Sequence, residues 1–151
     1  MPSKRLETIE LRSASLSTRR FLRVIRYGDL SYGKKAYIQT GLHADEAPGL
    51  LVMHHLIELL DAADQEDRIT SQIILVPVAN PIGWDQWDHE YMQGRFETAS
   101  GINFNREHPD ITEEIATRIG PKLGRDPKEN KAVIRKAAEE VIRNLSPLDE
   151  G

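Results

Sequence analysis

The sequence contains no cysteine. That excludes a disulfide scaffold, a thiolate zinc finger and a cysteine nucleophile, and leaves open a metal site built from histidine and carboxylate. It also lacks a long apolar run. The longest, Ile73 to Val78, is far too short to cross a bilayer. Met1 to Arg12 is charged throughout, without the apolar core of a secretory signal, so a cytoplasmic location and no membrane partner are expected. No excess of positive charge is present. The net charge is −4, which argues against a nucleic-acid binder. Glycine and proline together are only 18 of 151 residues, so the chain is neither low-complexity nor collagen-like.

What is there is the composition of one ordinary domain, 39% hydrophobic and 29% charged. Charge is unevenly spread. Residues 1–35 hold nine Lys/Arg against three Asp/Glu, and the remainder holds eleven against twenty-one. The early arginines alternate through strand-like sequence and read as a solvated face.

The first third reads as strands, at Leu6 to Leu11, Arg20 to Tyr27 and Ala36 to Thr40, separated by Tyr-Gly turn signals. A helix follows. Asp45 or Glu46 is placed to cap it, Pro48 suits its first turn, and Leu50, Met53, Leu56, Ile57 and Leu60 form its apolar stripe. Gln72 to Ala79 reads as a strand buried on both faces, broken by Asn80-Pro81-Ile82-Gly83. Residues 84–110 read as a long irregular segment, often a functional one. Helices over 111–119 and 127–145 complete the chain. Strand, helix, strand in the middle predicts an α/β fold with a mixed, mainly parallel sheet flanked by helices, in one domain over 1–151.

Two short patterns carry chemistry. His43 and Glu46 stand three residues apart where a strand ends and a helix begins. That spacing turns both side chains to one side, and an imidazole nitrogen with a carboxylate oxygen suits a zinc ion. Alone, the pattern equally describes a capping glutamate beside an incidental loop histidine. The second pattern is Gly94-Arg95-Phe96 followed by Asn103-Phe104-Asn105-Arg106. Arg95 and Arg106 are the only Arg or Lys between residues 69 and 117, and isolated guanidiniums in a glycine-rich loop suit carboxylate recognition. Ordinary salt bridging to Glu97 or Glu107 is the alternative for either one.

In this order the motifs resemble the zinc carboxypeptidase-like superfamily, and within it the succinylglutamate desuccinylase/aspartoacylase branch, over residues 36 to 110. The resemblance implies that His43 and Glu46 are two zinc ligands. It implies that Arg95 polarises the scissile carbonyl and holds the developing oxyanion, and that Asn105 and Arg106 grip a substrate carboxylate. The implied activity is zinc-dependent hydrolysis of N-acyl amino acids or similar small carboxylate-bearing amides or esters. A carboxypeptidase acting on peptides is the neighbouring reading, and a carboxylate-binding module without metal is the reading from another class.

The chain departs from the family pattern in three ways. Asn103 stands where the family has Asp, and His108-Pro109-Asp110 where it has Phe-Pro-Gly. Ala44 replaces a common glycine. The family's third ligand, a histidine on a later strand, and its glutamate base have no counterpart, because His54, His55, His89 and His108 read as surface or supporting residues. The expectation is therefore the N-terminal portion of a longer enzyme, silent by itself, with an uncovered sheet edge that favours self-association.

Overall fold

The computed structural model describes residues 2–13, 15–106 and 108–145. It divides into two compact units, Met1–Arg106 and Glu107–Gly151.

The first unit is built on a four-stranded sheet of β1 (Arg5–Leu11), β2 (Arg20–Tyr27), β3 (Lys35–Gln39) and β4 (Gln72–Val76), in the order β1-β2-β4-β3. β1 and β2 are joined by a short loop, which allows only antiparallel neighbours. β4 runs antiparallel to β2, pairing Ile25 with Leu75 and Tyr27 with Ile73. β3 and β4 are parallel, with the long helix α1 (Pro48–Gln65) as the crossover. The mixed α/β sheet is as expected. A parallel majority is not seen among the described residues, where two of the three ladders are antiparallel. The βαβ unit in mid-chain supplies only one parallel pair; the hairpin before it supplies one antiparallel ladder, and its docking on β4 the other.

β4 lies between two neighbours, and its Leu75 and Val76 are buried. It stops at Val76 rather than at Ala79 because Pro77 has no N–H to continue a ladder. Ile25, Tyr27 and Leu75 pack against Met53 of α1, with Leu56, Ile57, Leu60, Ile69 and Ile73 around them. The helical stripe read from the sequence is the face that meets the sheet. The Tyr27 hydroxyl donates to Asp61 at 2.7 Å. Burial first, and then Asp61, push that hydroxyl above its ordinary pKa, so it remains a donor. Asp64, also on α1, accepts from the Ser3 N–H at 2.8 Å and the Lys4 N–H at 3.0 Å, pinning the segment before β1 to the helix.

After β4, Pro81–Trp84 makes a single helical turn, α2, and two-residue strands β5 (Trp87–Asp88) and β6 (Tyr91–Met92) pair antiparallel. This small hairpin lies in the stretch that reads as irregular, because two-residue strands leave no periodicity to detect. The second unit holds α3 (Thr112–Ile119), a 3-10 turn over Gly120–Lys122 and α4 (Pro127–Asn144). Asp126 caps α4 by accepting from the Lys128 N–H, and Pro127 fills its first position.

Candidate active site

The site forms where the parallel strands β3 and β4 end, the edge at which open α/β sheets place their ligands. The loop leaving β3 is tied to the chain leaving β4. The Ala79 N–H donates to the Thr40 carbonyl, the Asn80 N–H to Gly41 and the Asn80 side-chain amide to Leu42. The side-chain oxygen of Asn80 accepts the Gly83 N–H and so caps α2. Asn80 thus fixes two turns at once. Gly41 has φ of +65°, a conformation that glycine adopts without strain and that lets the loop turn back.

The far wall comes from residues 94–106. The Ala44 N–H donates to the Gly94 carbonyl at 2.9 Å, and the approach is close. A Cβ at Gly94 would lie 2.5 Å from the Asp45 nitrogen and 2.7 Å from the Ala44 Cβ. Phe96 bridges to Asn103, the Glu97 N–H donates to Ile102, and the Phe104 N–H donates to Arg95. This narrow loop sets Arg95 and Asn103 side by side.

His43 is buried, at 5% exposure, and both its ring nitrogens are engaged. Nε2 lies 2.8 Å from the Asn103 Oδ1, and that oxygen also accepts the Asn105 N–H at 2.9 Å. Oδ1 is therefore an acceptor, and His43 must donate from Nε2. On the other side Arg95 Nη1 lies 3.0 Å from Nδ1. A guanidinium has no acceptor, so Nδ1 carries a lone pair. His43 is thus held in the Nε2–H tautomer, and the Nδ1 lone pair that accepts from Arg95 is the one that would ligate.

The Glu46 Oε1 is 3.2 Å from that Nδ1 and accepts from Arg95 Nη2 at 2.5 Å. Arg95 holds the Glu46 carboxyl below the usual carboxylate range. An imidazole lone pair and a carboxylate oxygen thus converge on one cationic group. That is the donor set of two zinc ligands, and the residues present fit the ion to that extent. Among the described residues, no third histidine or carboxylate joins them.

Asp45 and Glu46 do not cap α1. Its N-cap is Ala47, with no side-chain hydrogen bond. Both carboxylates turn instead to Arg95, whose Nε is 3.4 Å from the Asp45 Oδ2. No Lys or Arg occurs between residues 36 and 67, so Arg95 brings the positive charge that this acidic turn lacks.

His43, Asp45, Glu46 and Asn105 line one open depression of about 640 Å³, with Thr40 to Leu42 forming its floor. Arg106 is exposed beside it, and its guanidinium donates to the Asn105 carbonyl. A second depression of about 660 Å³, between Phe21, Arg23, Pro77 and Pro81, is mostly apolar, with Glu7, Thr8 and Arg23 as its polar lining. His89 sits exposed at the β5–β6 turn, paired with Asp88, and His54 and His55 lie on the exposed face of α1. No local pattern in the sequence pairs Asn103 with His43, Asp45 with Arg95, or Gly94 with the turn after β3. The one available signal was the loop's density of short polar residues and glycine.

Residues 32–144 match the model of the succinylglutamate desuccinylase/aspartoacylase catalytic domain. No curated protein sequence matches the chain. The chain is similar to solved structures, among them two from Shewanella species. One, from Shewanella frigidimarina NCIMB 400, is assigned to the succinylglutamate desuccinylases/aspartoacylases; it is 24% identical, with a TM-score of 0.78 over 95% of this chain and 38% of its own. The other is a succinylglutamate desuccinylase/aspartoacylase family protein from Shewanella amazonensis SB2B, 28% identical, with a TM-score of 0.69 over 96% of this chain and 38% of its own. The chain therefore spans well under half the length of the structures it matches.

Proposed function

The chain belongs to the succinylglutamate desuccinylase/aspartoacylase family, and from that premise we propose that it carries one wall of a zinc-dependent deacylase site. The reaction is hydrolysis of the amide or ester bond of an N-acyl amino acid or a similar small carboxylate-bearing substrate. One observation carries the reading. The His43 Nδ1 and the Glu46 Oε1 lie 3.2 Å apart and both contact the Arg95 guanidinium, with the Nδ1 lone pair of His43 on that side.

His43 and Glu46 would hold the zinc, which supplies Lewis acidity at the scissile carbonyl. Arg95 stands against both ligands, positioned to stabilise negative charge that develops on the carbonyl oxygen. Asn105 lines the same depression and offers neutral hydrogen bonds to the substrate. Arg106, next to it, supplies the charge that pairs with a substrate carboxylate and so sets the scissile bond over the ligands. A third ligand and a general base are needed from beyond the described residues. By itself the 151-residue chain is proposed to be silent.

The test is an assay of the whole protein on N-acyl amino acids with zinc present. His43→Ala abolishes turnover. Arg106→Ala raises KM about 10–100-fold, the loss of one charged hydrogen-bond set, with a smaller effect on kcat. Arg106→Lys restores it only partly, because an ammonium cannot form the two-pronged contact. An unchanged KM in Arg106→Ala removes Arg106 from the substrate site.

A further inference from the structure

Midway along α1, away from the cleft, three metal-ligating side chains gather on the exposed surface of the helix. They are His54, His55 and Glu58, and one ligand atom from each lies within 4.8 Å of the others. The His55 Nδ1 is 3.0 Å from the Glu58 Oε2, and the His54 Nε2 is 3.6 Å from its Oε1. The two rings meet edge to face, with centroids 5.3 Å apart.

Helix geometry explains the convergence. At about 100° per residue, His55 is turned about 100° from His54, and Glu58 comes round to about 40°, between them and one turn further on. Helical side chains lean towards the N-terminus, so the Glu58 carboxylate reaches back into the gap between the imidazoles. α1 contains no Lys or Arg, so no cationic side chain of the helix competes for that carboxylate. All three side chains are more than half exposed, at 65%, 62% and 61%, so small rotamer changes that shorten the ligand spacing meet no packing resistance. The backbone beneath them is a rigid 18-residue helix whose opposite face is anchored on the sheet.

We propose that His54, His55 and Glu58 form a second metal site, for a late first-row divalent cation such as zinc, independent of the His43–Glu46 pair. Two imidazoles and one carboxylate are the donors that such ions take. Magnesium and calcium, which prefer all-oxygen surroundings, are excluded by the same donors. The remaining coordination positions open to solvent.

Calorimetric titration of the full 151-residue chain with zinc tests this. The wild-type chain binds zinc, and His54→Ala/His55→Ala weakens that binding by at least about tenfold, because two of three ligands are gone. Glu58→Gln weakens it in the same direction, and magnesium gives no binding. The three positions are exposed, so these variants keep the wild-type circular dichroism. His43→Ala retains this binding, which separates it from the proposed cleft site. An isotherm that is unchanged in His54→Ala/His55→Ala, or that is lost only in His43→Ala, overturns the proposal.

Discussion

His43 has a partner on each ring nitrogen, and the two partners have different consequences. Arg95 can leave Nδ1 when a metal arrives, but Asn103 must stay on Nε2 to keep the ring oriented. Asn103→Ala should therefore lower zinc affinity in the whole protein about 10–100-fold, the usual cost of removing an outer partner of a ligating histidine. Asn103→Asp should raise it, because a carboxylate acceptor makes the imidazole a stronger donor to the metal. Equilibrium dialysis against zinc, in a His54→Ala/His55→Ala background, orders the three proteins; an affinity in Asn103→Ala equal to that of the background removes this role. Asp64 is a second residue with an outsized effect. Burial pushes its carboxyl up, but hydrogen bonds from Ser3 and Lys4 outweigh that and leave it below the usual carboxylate range. A depressed folded-state pKa means that its contribution is complete above the unfolded value of about 3.9 and is lost as pH falls through the lower folded value. Asp64→Asn should cost about 1–3 kcal/mol at neutral pH, the penalty for disturbing a buried acceptor. The gap between variant and wild type should begin to narrow as pH falls below about 4 and close only below the lower folded value, where the wild-type carboxylate takes up its proton. Urea denaturation at a series of pH values measures both.

At the scale of elements, the site depends on how two loops are pressed together. The turn after β3 meets the 94–96 segment through backbone, with no flexible side chain between them to yield. Gly94→Ala puts a methyl group into that contact. Relief requires moving the segment that carries Asp45 and Glu46, at a cost of about 1–3 kcal/mol typical of overpacking. Gly33 is the control, since a Cβ there meets nothing within 4 Å and its φ is not positive. Thermal denaturation should show a melting temperature several degrees lower for Gly94→Ala and little change for Gly33→Ala. Equal melting temperatures would mean that the two loops move together freely.

At the scale of the whole molecule, β3 is an edge strand of the first unit among the described residues, and all five of its residues are exposed, Tyr37 at 57% and Ile38 at 38%. An edge with unpaired backbone and apolar side chains favours strand-to-strand association. The isolated chain is expected to self-associate, and Ile38→Lys to shift it towards monomer, because a charge on an edge strand opposes pairing. Sedimentation equilibrium reads this directly. A wild-type chain that stays monomeric at high concentration would show that the edge is protected.

Elements with long, regular patterns were legible in the amino-acid order. The stripe from Leu50 to Leu60 marked the buried face of α1, the β-branched run from Gln72 marked the inner strand, and the order of His43, Glu46, Arg95, Asn105 and Arg106 pointed to the family. These are legible because period and spacing are local properties. Tertiary structure alone decided the direction of the β2–β4 ladder, the small β5–β6 hairpin, and the partners of the site. Asn103 is sixty residues from His43, and Arg95 is forty-nine from Glu46. Asp45 and Glu46 had every local reason to cap a helix. They turn instead to Arg95, because a charge-assisted contact with a guanidinium is stronger than a cap that water can replace. Pairings of that kind arise only when the chain closes on itself, and no periodicity in the sequence records them.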